Sequence, residues 1–164
     1  MKLLRNGKNM AKILVVDDIA IMRHVIKRHL EKLGHTVVAE AENGNRALHQ
    51  YKLFHPDMVT MDITMPAENG VKNGIDALKL IKEYDKNAKI VMVTSHGEEK
   101  LVIEALTVGA KGYVLKPVNE EKLNTIINKV IPKIIQEPED PTQEEALEKA
   151  IKIEEEQKQE EEYV

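Results

Sequence analysis

Residues 12–18 read Lys12-Ile13-Leu14-Val15-Val16-Asp17-Asp18, four aliphatic side chains in a row that stop on two carboxylates. A short apolar run without polar alternation is the spelling of a buried strand. The same spelling returns three times downstream. Met58-Val59-Thr60-Met61 runs into Asp62, Ile90-Val91-Met92-Val93 into Thr94, and Gly112-Tyr113-Val114-Leu115 into Lys116. In an open parallel α/β sheet, ligands bind in the crevice beyond the carboxyl ends of the strands. Three carboxylates, a hydroxyl and an ammonium therefore fall into one crevice.

Between these runs the apolar spacing switches to the helical period, which predicts βα units and a parallel sheet. After the strand Lys12–Val16, the residues Met22, Val25, Ile26, Leu30 and Leu33 share one helical face, and Gly34 supplies a left-handed stop. Thr36–Ala39 is a second strand, Asn45–Leu53 a helix, Met58–Met61 a third strand and Ile75–Tyr84 a helix. Ile90–Val93 is a fourth strand, Glu98–Val108 a helix that ends at Gly109, and Tyr113–Leu115 the last strand. Asn119 is the expected N-cap of a final helix opening on Glu120 and Glu121, acids suited to its positive end. Pro132 is expected to kink or end it. With one Phe, four Tyr and no Trp, the core must be built of Val, Ile, Leu and Met.

The chain has 164 residues and no cysteine, so neither a disulfide framework nor a thiolate metal site is available. A cytoplasmic setting is expected. No stretch approaches the roughly 18 apolar residues of a membrane span, and the basic start MKLLRNGKNM is not followed by the apolar run of a secretory signal. Residues 1–10 are expected to be a leader outside the fold. The net charge of −4 conceals an asymmetry: residues 137–164 hold twelve acids and three lysines, a net of −9, which leaves +5 on residues 1–136. Glu137-Pro138-Glu139-Asp140-Pro141 opens this segment, and two prolines among acids mark a domain border. The expected organisation is a domain over 11–136 and an acidic, helical extension over 137–164.

At these positions the chain resembles the receiver domains of two-component response regulators, over roughly Ala11 to Gln136, and in particular the single-domain chemotaxis type. The acidic pair Asp17-Asp18, Asp62 in Met61-Asp62-Ile63-Thr64-Met65-Pro66, Thr94, and Lys116 in Lys116-Pro117 fill the signature positions. The resemblance implies a doubly wound, five-stranded parallel sheet of order 2-1-3-4-5 flanked by five helices, the flavodoxin-like order that the chemotaxis regulators themselves exemplify. It implies Asp62 as phosphoacceptor, with Thr94 and Lys116 assisting, and a cis Lys116–Pro117 bond. It further implies a switch in which Thr94 moves toward the phosphoryl group and Tyr113 turns inward; a half-buried strand aromatic is the plainer role for Tyr113.

The residue types suit that chemistry on their own terms. Three crowded carboxylates repel one another unless a cation offsets them, and Mg²⁺ binds one or two carboxylates while keeping several waters. Asp18 and Asp62 suit direct ligation and Asp17 ligation through water. By resemblance, the backbone carbonyl of Thr64 completes the set. Asp62 would attack phosphorus as a carboxylate nucleophile, with the transferred charge stabilised by Lys116, the Thr94 hydroxyl and a backbone N–H of Ser95. Thr64 and His96, two residues past the acceptor and the hydroxyl, correspond to positions that modulate hydrolysis in the family. His96 either orders a water or decorates a loop.

The implied partners are a histidine kinase or phosphotransfer protein, a phosphatase, and a downstream protein such as a flagellar motor switch. A phosphorelay intermediate or phosphate sink is the alternative. An Asp-nucleophile phosphohydrolase of the haloacid dehalogenase type is a remote one, since its second acid is replaced here by Thr64. On this reading the chain is not an enzyme but a signalling protein that catalyses its own phosphotransfer and slow dephosphorylation. No nucleic acid is expected, because the segment after Gln136 is acidic where phosphate contacts need Lys and Arg.

Two segments stand apart. Ala67-Glu68-Asn69-Gly70 matches the loop the family carries after the acceptor, yet Val71-Lys72-Asn73-Gly74 repeats its ending, so the loop is about four residues longer. In the acidic extension, Asp140-Pro141-Thr142-Gln143 spells a helix start and Ala146, Leu147, Ala150 and Ile151 a narrow apolar stripe. A solvated helix, docking on the basic body, and binding of a partner are the three readings of that stripe.

Overall fold

The computed structural model describes residues 10–131 and 147–152. Five strands, β1 (Lys12–Val16), β2 (Thr36–Ala41), β3 (Met58–Asp62), β4 (Ile90–Thr94) and β5 (Gly112–Leu115), alternate with five helices. The helices are α1 (Ala20–Lys32), α2 (Gly44–Phe54), α3 (Gly74–Tyr84), α4 (Glu99–Val108) and α5 (Glu120–Val130). All strand pairs are parallel and the sheet order is β2-β1-β3-β4-β5, as expected. β1 pairs with both β2 and β3, so the order reverses there and the crevice opens at the carboxyl ends of β1 and β3. Those are the strands that end at Asp17 and Asp62.

The two faces of the sheet bury separate cores. Ile13, Val15, Val91, Val93 and Val114 pack under α1 and α5 with Ile26, Leu30, Leu123 and Ile127. Leu14, Val59, Met61, Ile90 and Met92 pack under α2, α3 and α4 with Leu78, Ile81 and Ala105. Truncating a fully buried side chain such as Ile13 or Leu78 to alanine would cost about 2–5 kcal/mol, so these two layers hold the strand ends in place.

The strands run slightly further than their apolar runs predict. β2 continues to Ala41 because Val16 pairs with it and the Asp17 N–H donates to its carbonyl at 3.1 Å. Asp62 and Thr94 are themselves strand residues, in register with Val93 and Leu115, and not the first residues beyond. β5 starts one residue early, at Gly112, while α1 starts at Ala20, two residues ahead of its apolar face. α4 starts at Glu99, with Glu98 as its N-cap. The Asn119 side chain caps α5 by accepting from the Lys122 N–H at 2.8 Å, Gly34 is left-handed at φ 91°, and the Lys116–Pro117 bond is cis.

The lengthened loop after β3 resolves into two structures with one spelling. At the first Asn-Gly, Asn69 and Gly70 both take positive φ (48° and 83°), and Glu68 and Val71 exchange a pair of 2.9 Å backbone hydrogen bonds. This is the two-residue turn that Asn-Gly favours between antiparallel partners. At the second, Asn73 caps α3 by accepting from the Ile75 and Asp76 N–H groups. Gly74 lies so close to the Asp62 carbonyl that a Cβ would collide with it. The extra turn is tied to α2: Glu68 accepts from the Asn43 side chain at 2.7 Å through its carboxylate and from Asn45 at 2.9 Å through its carbonyl.

The chain divides into two units, Met1–Lys133 and Ile134–Val164. In the second, residues 147–152 are helical and exposed, Leu147 and Ile151 included. Residues 1–9 of the expected leader, Pro132, and the expected helix start Asp140–Gln143 with Ala146 lie outside the described residues.

Candidate functional site

The ends of β1, β3 and β5 bring Asp17, Asp62 and Lys116 together. The Lys116 ammonium stands 3.3 Å from Asp62 Oδ1 and 3.4 Å from Asp17 Oδ2. Asp17 is wholly buried, and its other oxygen accepts the Ile19 N–H at 2.9 Å, which fixes the carboxylate at the turn into α1. Arg23 on α1 donates to the Asp17 carbonyl at 2.8 Å and lies 3.5 Å from Glu40. Asp18, half-buried, completes a cluster in which Asp17, Asp18 and Asp62 each offer an oxygen within 4.8 Å of the others.

The electrostatics of the cluster demand a cation. Burial pushes the Asp62 carboxyl up, the negative charge of Asp17 adds to it, and Lys116 offsets them only in part, so that it titrates at about 7. Burial alone would lower the Lys116 ammonium, but Asp62 and Asp17 hold it above its ordinary value, so the lysine stays charged. Without a further cation Asp62 is only about half ionised at neutral pH. A compact set of hard carboxylate oxygens carrying excess negative charge fits Mg²⁺.

The hydroxyl side is arranged differently. Thr94, at the end of β4, is 2% exposed, and its hydroxyl donates to Glu98 Oε2 at 2.6 Å, with a longer 3.3 Å contact to the Ser95 carbonyl. The Ser95 N–H donates to the same Oε2 at 2.9 Å, and the Thr64 hydroxyl reaches Glu98 Oε1 at 2.5 Å. Burial would raise the Glu98 carboxyl, but these three donors, with the charge of Lys116, hold it below the usual range. Glu98 is thus an ionised group in the β4–α4 loop that collects the Thr94 hydroxyl and the Ser95 N–H expected to serve Asp62, together with the Thr64 hydroxyl. In the sequence, Glu98 is spelled only as the start of a helix.

The remaining predicted residues lie around this centre. Thr64 is on the β3–α3 loop with its side chain exposed, and His96 is exposed on the β4–α4 loop. Tyr113 is 51% exposed on β5, paired with Met92 and so on the same sheet face as Thr94, which lies two residues on. It points outward in this state.

Residues 13–128 match the family described as the response regulator receiver domain. The chain is 48% identical over 120 residues to the chemotaxis protein CheY of Bacillus subtilis, covering 73% of this chain and 97% of that one. It is 44% identical over 119 residues to CheY of Thermotoga maritima, covering 73% and 96%. Among solved structures, a CheX–CheY–BeF3–Mg²⁺ complex from Borrelia burgdorferi superposes with a TM-score of 0.67 at 33% identity, covering 73% of this chain and 87% of that one.

Proposed function

Because the chain belongs to the response regulator receiver domain family, we propose that Asp62 accepts a phosphoryl group from a histidine kinase or phosphotransfer protein, and that the phosphorylated chain signals by binding a protein target in a chemotaxis-type pathway. The observation that carries this reading is the Lys116 ammonium set between Asp62 and Asp17 inside a three-carboxylate cluster. In the transfer, an Asp62 carboxylate oxygen bonds to phosphorus as the bond from phosphorus to the donor histidine nitrogen breaks. The product is an acyl phosphate, and no proton needs to move from the ionised acceptor. Lys116 neutralises charge on the phosphoryl oxygens from the β5 side, and the Thr94 hydroxyl and Ser95 N–H do so from the β4 side. Asp18 and Asp62 would hold Mg²⁺ directly, Asp17 through water and Thr64 through its backbone carbonyl. When bound, the ion supplies positive charge that ionises the acceptor and balances the incoming phosphoryl group.

In this reading residues 11–136 are the receiver and residues 137–164 an appended acidic segment. Thr64 and His96 tune hydrolysis of the acyl phosphate, and Thr94 with Tyr113 forms the switch. Tyr113, outward and on the face shared with Thr94, would turn in once Thr94 moves. The target is a protein of the flagellar motor switch kind, a phosphatase resets the state, and the setting is cytoplasmic. Intact-mass spectrometry after incubation with acetyl phosphate tests the proposal. One phosphoryl group per chain is expected with Mg²⁺ and none with EDTA or in Asp62→Ala; absence of metal-dependent labelling on the wild-type chain would reject it.

A further inference from the structure

The proton count on the β4 side of the site does not close for a phosphoryl group as the structure stands. The Thr94 hydroxyl has one proton to give and Ser95 has one backbone N–H, and both are directed at Glu98 Oε2, at 2.6 and 2.9 Å. The Thr64 hydroxyl, from the loop on the other side of Asp62, is spent on Oε1 of the same carboxylate at 2.5 Å. The partially buried Glu98 side chain is therefore bound as an anion by three donors, one each from the end of β4, the β4–α4 loop and the β3–α3 loop. Two of those donors are the ones a phosphoryl group on Asp62 needs.

Helix capping does not account for this geometry. Glu98 is the N-cap residue of α4, but its side chain makes no capping bond to that helix; it reaches back to the strand end instead. Glutamate is also not among the residues favoured at that position. Nor is the contact a surface ion pair, since its partners are two hydroxyls and an N–H, and Thr94 is buried. Hydrogen bonds to an ionised acceptor are about twice as strong as neutral ones, so this carboxylate holds its donors firmly. A phosphoryl group carrying about two negative charges cannot share them with it.

We propose that Glu98 is an internal competitor of the phosphoryl group: its carboxylate occupies the Thr94 and Ser95 donors in the unmodified chain and must leave before Asp62 can be phosphorylated productively. This rests on Asp62 being the phosphoacceptor. Glu98 is accordingly a positioning residue that sets the off state. Its departure also frees the Thr64 hydroxyl and releases the N-terminus of α4, so filling the site and loosening the loop into that helix become one event. A ligand can shift a two-state element only through differential affinity, and here the difference is that the phosphoryl group and Glu98 exclude each other.

The test compares wild type, Glu98→Gln and Glu98→Ala in two measurements: the initial rate of acetyl phosphate labelling with Mg²⁺ by intact mass, and the affinity for beryllofluoride, an acyl-phosphate mimic, from the Ser95 amide NMR signal. In labelling, the phosphorus–oxygen bond to acetate breaks as that to Asp62 forms, and acetate leaves with the electron pair. Glutamine keeps the shape and one acceptor but loses the charge, so a rise of roughly fivefold in rate and affinity is expected, and a larger one for alanine. If Glu98 merely tethered the loop, its loss would scatter Thr94 and Ser95 and both quantities would fall. Rates and affinities that stay equal or fall in Glu98→Gln, with its melting temperature kept, would overturn the proposal. A wild-type chain that neither labels nor binds beryllofluoride would instead reject the phosphoacceptor reading, and this inference with it.

Discussion

On the β5 side of Asp62 the Lys116 ammonium stands 3.3 Å from its carboxylate, whereas on the β4 side the Thr94 hydroxyl and the Ser95 N–H are both turned to Glu98. The first half is set by backbone register. β1, β3 and β5 end where their pairing ends, and Asp17, Asp62 and Lys116 follow at or just past those ends. The second half is set by a loop, where one glutamate can take or release three donors. The contrast teaches how a rigid sheet can carry a two-state site: Asp17, Asp62 and Lys116 stay in place while the loop carboxylate of Glu98 gives up the neutral donors.

The largest effects belong to the fixed half. Asp62→Ala should abolish labelling by acetyl phosphate, read by intact mass; labelling that persists at half the wild-type level or more would move the acceptor elsewhere. Lys116→Ala should keep the acceptor but remove its neutralising charge, slowing labelling by about 100-fold, the scale seen when one donor to a developing charge is lost. An effect of less than threefold would mean that the lysine is a structural partner only. The Glu98 variants then probe the loop half, where the change has the opposite sign: a gain where Lys116→Ala gives a loss.

Stability offers a reading of the fixed half without any phosphoryl donor. The folded pKa of Asp62, about 7, lies above its ordinary 3.8, so the ionised carboxylate works against the fold. That penalty is fully present above pH 7 and fades as pH falls toward 4, where folded and unfolded chains both bind the proton. In metal-free buffer, Asp62→Asn should therefore raise the melting temperature at pH 8 by roughly 5 °C, and by much less at pH 5. An equal shift at both values would place the cause in packing. The smallest effect is expected at His96, exposed on the β4–α4 loop. His96→Ala should change the half-life of the acyl phosphate by about twofold, since one general acid-base or water-ordering group at the solvent edge contributes far less than a buried one; an unchanged half-life would leave His96 as loop decoration.

The fixed half was also the legible half. Buried parallel strands are spelled as continuous apolar runs, and a chemical residue at the end of such a run lies in the crevice by topology alone. That logic located Asp17, Asp62, Thr94 and Lys116, and local chemistry located the Gly34 stop and the Asn119 cap. Two features escaped it for physical reasons. The repeated Asn-Gly after β3 was visible as extra length, but one dipeptide serves a left-handed turn at Asn69-Gly70 and a cap with close approach at Asn73-Gly74; only the surroundings tell these apart. Glu98 was spelled as an ordinary helix start. Its carboxylate turns back to Thr94 and Ser95 and also reaches Thr64, 34 residues earlier in the chain, a contact that no local pattern encodes.

The central claim is most directly tested by locating the modified residue. The chain would be labelled with acetyl phosphate and Mg²⁺, reduced with borohydride to convert an acyl phosphate into homoserine, digested, and sequenced by tandem mass spectrometry. The account predicts homoserine at position 62 alone, with Asp17 and Asp18 intact. Homoserine at 17 or 18, or labelled chains whose aspartates all survive reduction, would contradict it.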